Sequence, residues 1–282
     1  MFSRAPATSA NLGPGFDALA VALSLYVEVT LELAEKFSIT TEGCGAGLFD
    51  DESHLAARVA RGVLGHSNFS LRVNSSIPLS RGLGSSAALA AAAAAAAGAA
   101  DPLAIAADLD GHAENAAASV HGGLMVASVD EEGVVIARSL PLDEVWRFVV
   151  VVPEEELATS DARRALPDFV AFSDAVANLS ALGLLIAGLG DHRKFVPSAM
   201  SDALHQPHRS SLLEFADDLL GTLREAGAAG SCWSGAGSSM LGLVTSESAG
   251  DVALGAKEFL RARSIPGEVY TLDADRAGLV TH

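Results

Sequence analysis

Lysine is nearly missing from this sequence. Lys36, Lys194 and Lys257 are the only three, so positive charge rests on arginine, whose planar fork suits carboxylates and phosphates. Basic residues of either kind are scarce: 18 Lys and Arg face 35 Asp and Glu, for a net charge of −17. Nucleic acid and anionic membrane both require basic surface, so neither is expected as a partner. An anionic small molecule would need a local cluster of arginines working against that field. Cysteine is equally sparse. Cys44 and Cys232 stand apart, with no Cys-x-x-Cys and no disulfide framework, which fits a reducing, cytoplasmic setting. Long apolar runs are absent as well. The alanines of 87–97 and the stretch Leu182 to Leu189 fall short of the ~20 residues that span a bilayer. No charged n-region leads into an apolar core at the N-terminus, so no secretory signal is expected. Aromatic residues make up 5% of the chain, so its core has to be built from Ala, Val and Leu.

What is present divides into segments with distinct patterns. A chain of 282 residues can bury a large core as one domain or as two intimate ones. Residues 1–33 read as strand, turn-rich loop and strand, with the loop running from Ala7 to Asp17 through Gly13, Pro14 and Gly15. Turn signals at Gly43, Gly45 and Gly47 precede a helix from Ser53 to about Leu64 and a strand at 69–73. Next comes Pro78-Leu79-Ser80-Arg81-Gly82-Leu83-Gly84-Ser85-Ser86-Ala87-Ala88, leading into an alanine-rich helix that reaches Ala100. Two glycines two apart let backbone N–H groups approach an anion, and the helix start adds the positive end of its dipole. Ser85 and Ser86 suit a helix cap and carry hydroxyls that can ligate magnesium. Asp101-Pro102 opens a further helix carrying Asp108 and Asp110. Val145 to Val152 reads as a buried strand opening the second half, and Phe172 to Gly190 as an apolar helix. His205 and His208 flank Pro207, which breaks helical geometry, and no third ligand is evident, so zinc is not expected. A helix from Ala249 to Arg263 and a strand from Glu268 to Leu272 follow.

The loop lacks the lysine of a Walker motif. It resembles instead the Pro-x-x-x-Gly-Leu-Gly-Ser-Ser-Ala loop of the GHMP kinases. Pro6-Ala7-Thr8-Ser9-Ala10-Asn11-Leu12-Gly13-Pro14-Gly15-Phe16-Asp17 is similar to the N-terminal motif of the homoserine kinase branch, nearly residue for residue. That branch carries Glu-x-Glu-Gly-His-Pro-Asp-Asn where this chain has Asp108 to Asn115, with Asp108 and Asp110 for the two Glu and Glu114 for the Asp. Further along, Thr159 and Arg163 match Ser-Thr-x-x-Ala-Arg, and Asp202 to Arg209 matches Asp-x-Leu-His-Glu-Pro-x-Arg. Ser234-Gly235-Ala236-Gly237-Ser238-Ser239 resembles the third family motif, with Ser238-Ser239 in place of Pro-Thr.

The resemblance implies an α+β fold in two parts, divided at 1–142 and 143–282. The first half would be like ribosomal protein S5 domain 2, and the second a ferredoxin-like α/β sandwich. It implies ATP as phosphoryl donor, held by Pro78 to Ala87, and Mg2+ on Asp108 with Ser85 or Ser86. The implied substrate is L-homoserine, with Asn11, Asp17 and Glu114 at its amino and hydroxyl end, Arg163 and Arg209 on its carboxylate, and Thr159 beside them. Another small hydroxy acid, or ligand binding without catalysis, remains open on the carboxylate swaps. A homodimer also remains open.

Overall fold

The computed structural model describes all residues 1–282 as two antiparallel-rich sheets whose helices pack between and around them. In chain order the first half runs β1 (Phe2–Asn11), β2 (Gly15–Leu33), β3 (Ser38–Gly43), α1 (Leu55–Leu64), β4 (Phe69–Ser75), α2 (Ser85–Ala96), α3 (Pro102–Asp110), α4 (Ala113–His121), β5 (Leu124–Val129) and β6 (Val135–Leu140). The second half runs β7 (Trp146–Pro153), α5 (Thr159–Arg164), α6 (Phe172–Gly190), α7 (Gln206–Arg209), α8 (Ala216–Glu225), β8 (Gly230–Trp233), β9 (Met240–Thr245), α9 (Ala249–Arg263) and β10 (Gly267–Leu272). A last short strand, β11 (Val280–Thr281), returns to the first sheet beside β1.

The long β2 organises the first sheet. Its outer part pairs with β4, and its inner part, Leu19 to Val21, pairs with β5. The strand order is β11-β1-β2-β4-β3, with β5 and β6 branching from β2. Only β3 and β4 run parallel, which suits a crossover carrying α1 over the sheet. The second sheet is antiparallel in the order β10-β7-β9-β8.

Alanine decides the packing of the first half. α2 is nearly all alanine and buries residues on every side, so it lies in close contact with β1, β2, α1, α3 and α4. Ser3 Oγ donates to the Ala92 carbonyl at 2.6 Å, a backbone approach that larger helix side chains would block. β7 alternates between two cores. Trp146, Phe148, Val150 and Val152 join the large cluster shared with the first half, while Val149 and Val151 join the cluster under α8 and α9. A strand buried on both faces reads as an unbroken apolar run, which is why 145–152 was legible as one.

Three expectations needed correcting. The glycine-rich N-terminal motif is mostly strand: β1 continues to Asn11, and the turn occupies only residues 12–14. β3 replaces part of a stretch read as turns. The chain does not divide cleanly at 142, because residues 280–281 add a strand to the first sheet. α6 keeps the limits expected for it, Phe172–Gly190, and at 19 residues it is, by length and composition alone, long enough to cross a membrane. Here it is a surface helix whose Asn178 donates to the Pro14 carbonyl at 2.8 Å and accepts from the Ala203 N–H at 3.2 Å.

Candidate active site

The loop between β4 and α2 turns its carbonyls into the protein and its N–H groups outward. Thr8 N–H donates to the Leu83 carbonyl at 3.0 Å, Ser239 N–H to that of Arg81 at 3.3 Å, and Ser234 Oγ to that of Gly82 at 2.7 Å. The backbone N–H groups of residues 81–87 find no partner within the chain. Gly84 is the residue that caps α2, in the left-handed region at φ 61°, and no side chain bonds to the helix start. Ser85 and Ser86 are therefore inside the helix and do not cap it. A Cβ on Gly84 would lie 1.9 Å from Thr8 Oγ1, and one on Gly82 2.0 Å from the Ser234 carbonyl. Both positions thus require glycine for conformation and for space. Unpaired N–H groups converging at a helix start form an anion site.

This loop floors a cleft of about 400 Å3 between the two halves. Ser80 to Ser86, Asn11, Asp17, Asp110, His112, Glu114, Asn115, Thr159, Arg163, Arg209, Gly235 and Ala236 line it. Of the residues expected to hold nucleotide, Pro78 and Ala87 stay out of the lining, and Leu79 faces an adjoining apolar slot. That slot, about 460 Å3, shares Ser80, Ser85 and Ser86 with the cleft and is walled by Val73, Leu55, Phe49 and Leu89. Thr41 Oγ1 in its wall is buried without a hydrogen-bond partner. The Arg81 side chain points away, donating to the Pro153 carbonyl at 2.8 Å and pairing with Glu156, so it ties the loop to the second half.

Asp108 and Asp110 part company. Two residues along a helix lie some 200° apart. Asp110, at the end of α3, lines the cleft, whereas Asp108 lies in a separate groove with Arg58 and Arg61. The carboxylate that shares the cleft with Ser85 and Ser86 is therefore Asp110, contrary to the expectation. It sits 3.4 Å from His112 Nδ1, and this hydrogen-bonded contact raises the imidazole above its ordinary range.

Glu114 opens α4 and is almost completely buried. Burial pushes its carboxyl up to about 7, opposed by a backbone hydrogen bond and by His112, with Asp17 and Asp110 adding to the rise. No cation pairs with it; Asn115 Nδ2 donates to it at 3.3 Å. Asn115 Oδ1 in turn accepts from Thr8 Oγ1 at 2.6 Å.

Asp17 and Arg163 form a bidentate pair, both contacts 2.8 Å, across the two halves. Asn11, itself left-handed at φ 71°, accepts the Asp17 N–H on Oδ1 at 3.0 Å and donates from Nδ2 to the Gly235 carbonyl at 2.9 Å. It therefore positions Asp17 and the 235 turn. Arg209 is buried and held on three sides. Nη1 donates to the Gly235 carbonyl at 3.0 Å and to His205 Nδ1 at 3.2 Å, and Nε donates to the Ala162 carbonyl at 3.3 Å. His205 is pushed down to about 4 by burial and by the guanidinium, so it is neutral, with Nε2–H donating to the Gly13 carbonyl at 2.9 Å. That fixes its tautomer and leaves Nδ1 to accept from Arg209. Burial lowers Arg209 to about 10, so it stays charged, and its two Nη2 hydrogens have no partner. Both guanidinium groups lie 5.5 Å from the Phe16 ring. His205 is spent on this scaffold, and His208 does not join it in any metal-binding cluster.

Sequence reasoning missed Asp110, His112, Asn115, Thr8 and Phe16. Their signal was adjacency to motif residues, with helical phase available to separate Asp110 from Asp108.

Comparison with known proteins agrees with this architecture. The GHMP kinases N terminal domain matches residues 53–129, and the GHMP kinases C terminal domain matches residues 176–262. The chain belongs to the GHMP kinase family and is an ATP-dependent kinase. Within that family it falls among the homoserine kinases. It is 37% identical to the homoserine kinase of Desulfitobacterium hafniense over 98% of this chain and 97% of that one. It is 36% identical to that of Mycolicibacterium smegmatis over 84% and 82%. The homoserine kinase structure from Cytophaga hutchinsonii superposes with TM-score 0.85 at 29% identity, covering 99% and 96%. A phosphomevalonate kinase from Streptococcus pneumoniae, at 12% identity and TM-score 0.71, shares the fold.

Proposed function

We propose that this protein phosphorylates the side-chain hydroxyl of L-homoserine with ATP, giving O-phospho-L-homoserine on the route to threonine. One observation carries the reading: a single cleft joins unpaired loop N–H groups to the guanidiniums of Arg163 and Arg209 and the carboxyls of Asp17, Asp110 and Glu114. In a chain of charge −17 such a pairing of both signs is local. It matches a zwitterion beside polyphosphate.

The phosphates of ATP rest on the N–H groups of 81–87 and the positive end of α2, with the base in the slot beneath Thr41. Mg2+, when bound, neutralises phosphate charge, and Asp110 with the Ser85 and Ser86 hydroxyls supplies the hard oxygen donors it takes. Asp17 faces the substrate ammonium. Arg163 and the free Nη2 of Arg209 face its carboxylate, and Thr159 borders them. The hydroxyl oxygen bonds to the γ-phosphorus as the bridge to the β-phosphate breaks and ADP leaves. Glu114, with its carboxyl near 7, is suited to accept the hydroxyl proton. The rest of catalysis is positioning and charge stabilisation. A cytoplasmic enzyme is proposed with it.

Two measurements test this site. ADP release is followed with L-homoserine, L-serine, L-threonine and pantoate. Turnover is expected with homoserine, and Arg163→Ala is expected to lower kcat/KM about 30-fold, mostly through KM, by losing charge-assisted bonds. Turnover confined to pantoate would move the reading to another hydroxy acid, and nucleotide binding without turnover would make the protein a non-catalytic binder. Separately, Asp110→Asn is expected to raise the magnesium concentration for half-maximal rate about tenfold, while Asp108→Asn leaves it within about twofold. The reverse pattern would return the metal to Asp108.

A further inference from the structure

Three successive carbonyls at the end of β7 are taken up by side chains from the two glycine-rich loops of the cleft. Arg81 Nε donates to the Pro153 carbonyl at 2.8 Å, and Arg81 Nη2 donates to that of Glu154. Ser238 Oγ, in the turn between β8 and β9, donates to that of Glu155. The two loops are themselves joined, since Ser239 N–H donates to the Arg81 carbonyl at 3.3 Å. Arg81 Nη1 turns back to the Leu79 carbonyl at 3.0 Å and completes the grip. A planar fork holds several carbonyls in fixed directions, which the point charge of a lysine on its flexible stem does not. The Arg81 side chain is 13% accessible, whereas Glu156, its carboxylate partner, is 70% accessible. That ion pair is screened by water, and the carbonyls carry the contact.

The gripped segment leads straight to substrate-facing side chains. Residues 154–158 form no helix or strand and run directly into α5. α5 brings Thr159 and Arg163 to the cleft, and its Ala162 carbonyl accepts from Arg209 Nε at 3.3 Å. The Asp17–Arg163 pair also ties α5 to the first half, but a substrate with both charges competes for each of its partners. The Arg81 fork points away from the cleft, where neither ligand competes for it.

We infer that Arg81 is a positioning residue for phosphoryl transfer. Through the carbonyls of Pro153 and Glu154 it fixes α5, and with it the acceptor hydroxyl, against the loop that carries the phosphates. This role rests on the reaction proposed for the cleft. Reacting atoms have to meet at about 3–3.5 Å, and a misplacement of ~1 Å costs ~10²-fold in rate. The loop keeps its own shape without the fork, because Thr8 N–H, Ser239 N–H and Ser234 Oγ hold the carbonyls of Leu83, Arg81 and Gly82. Nucleotide binding and turnover are therefore separable at Arg81.

Arg81→Gln, Arg81→Lys and Glu156→Gln, compared with wild type, test the role by steady-state kinetics, calorimetry of ADP and of homoserine binding, and amide hydrogen exchange. Arg81→Gln is expected to lower kcat about 30-fold. The dissociation constants of ADP and homoserine, each measured alone, are expected to hold within about threefold, and the melting temperature to hold with them. Arg81→Lys should fall between the two, and Glu156→Gln should stay within about twofold of wild type. Exchange over residues 154–164 is expected to be about tenfold faster in Arg81→Gln, with α9 unchanged. A kcat within about threefold of wild type would overturn the role, as would a loss accounted for by ADP affinity or melting temperature. So would unchanged exchange, or a Glu156→Gln variant as slow as Arg81→Gln. A wild type that turns over pantoate in place of homoserine would overturn the homoserine reading alone, and the kcat comparison then uses pantoate. One that turns over no acceptor would overturn both.

Discussion

Gly84→Ala is expected to lower kcat/KM for ATP by about 10³-fold with the fold intact. The substitution adds one methyl group, and its effect comes from location. The backbone there is left-handed, at a cost of roughly 1 kcal/mol for a side chain. The new carbon would also lie 1.9 Å from Thr8 Oγ1 and 3.1 Å from Asn115 Oδ1. These two atoms are hydrogen-bonded to each other at 2.6 Å, so neither can yield alone. The turn that aims the N–H groups of 81–87 has to shift, and shifts of ~1 Å at a phosphate site cost ~10²-fold even before charge stabilisation is lost. Steady-state kinetics and ATP-binding calorimetry on the variant check this. ATP affinity and turnover both within a few-fold of wild type would show that the loop does not carry the phosphates.

Glu114→Gln is expected to act in opposite directions on activity and stability. In the wild type kcat/KM for homoserine should climb with pH through about 7, as the buried carboxyl ionises and becomes able to accept a proton. The glutamine variant should lose about 10²–10³-fold at pH 8 together with that limb of the profile. A pH dependence that persists in the variant would belong to His112, raised by Asp110. Stability runs the other way. The folded carboxyl lies at about 7 against an ordinary 4.5, so its contribution is fully present below pH 4.5 and is lost as pH rises through 7. The loss is about 3 kcal/mol. The variant should therefore melt several degrees above wild type at pH 8. The gap should close towards pH 5, and a variant equally or less stable at pH 8 would mean that Glu114 ionises without strain.

The glycine turn before α2, and the limits of α6 and α9, were legible in the sequence because each depends on local rules, glycine conformation and apolar periodicity; Arg163 and Arg209, expected together from the motifs, do line one cleft. The failures were matters of three-dimensional context. Ala7 to Asn11 looked like loop because Thr, Ser and Asn are turn formers, yet β2 pairs along that whole stretch. β3, with Thr40 and Glu42 facing outward, is a half-exposed edge strand held only by β4, and nothing in Ser-Ile-Thr-Thr-Glu-Gly announces it. Asp108 and Asp110 are equivalent as letters in a motif; only the end of α3 and the left-handed Gly111 after it give Asp110 to the cleft. α6 misleads in the other direction, since a helix apolar nearly all round normally reads as buried.

Because alternate residues of β7 belong to different clusters, the two halves share one cooperative unit. Loosening the cluster under α8 and α9 withdraws Val149 and Val151, and with them the strand that presents Trp146, Phe148 and Val150 to the first half. If ATP binds at the loop before α2 as proposed, it is expected to protect α8 and α9 against melting without touching either. For the same reason the junction near residue 142 marks where the chain changes sheet and gives neither half a core that holds by itself.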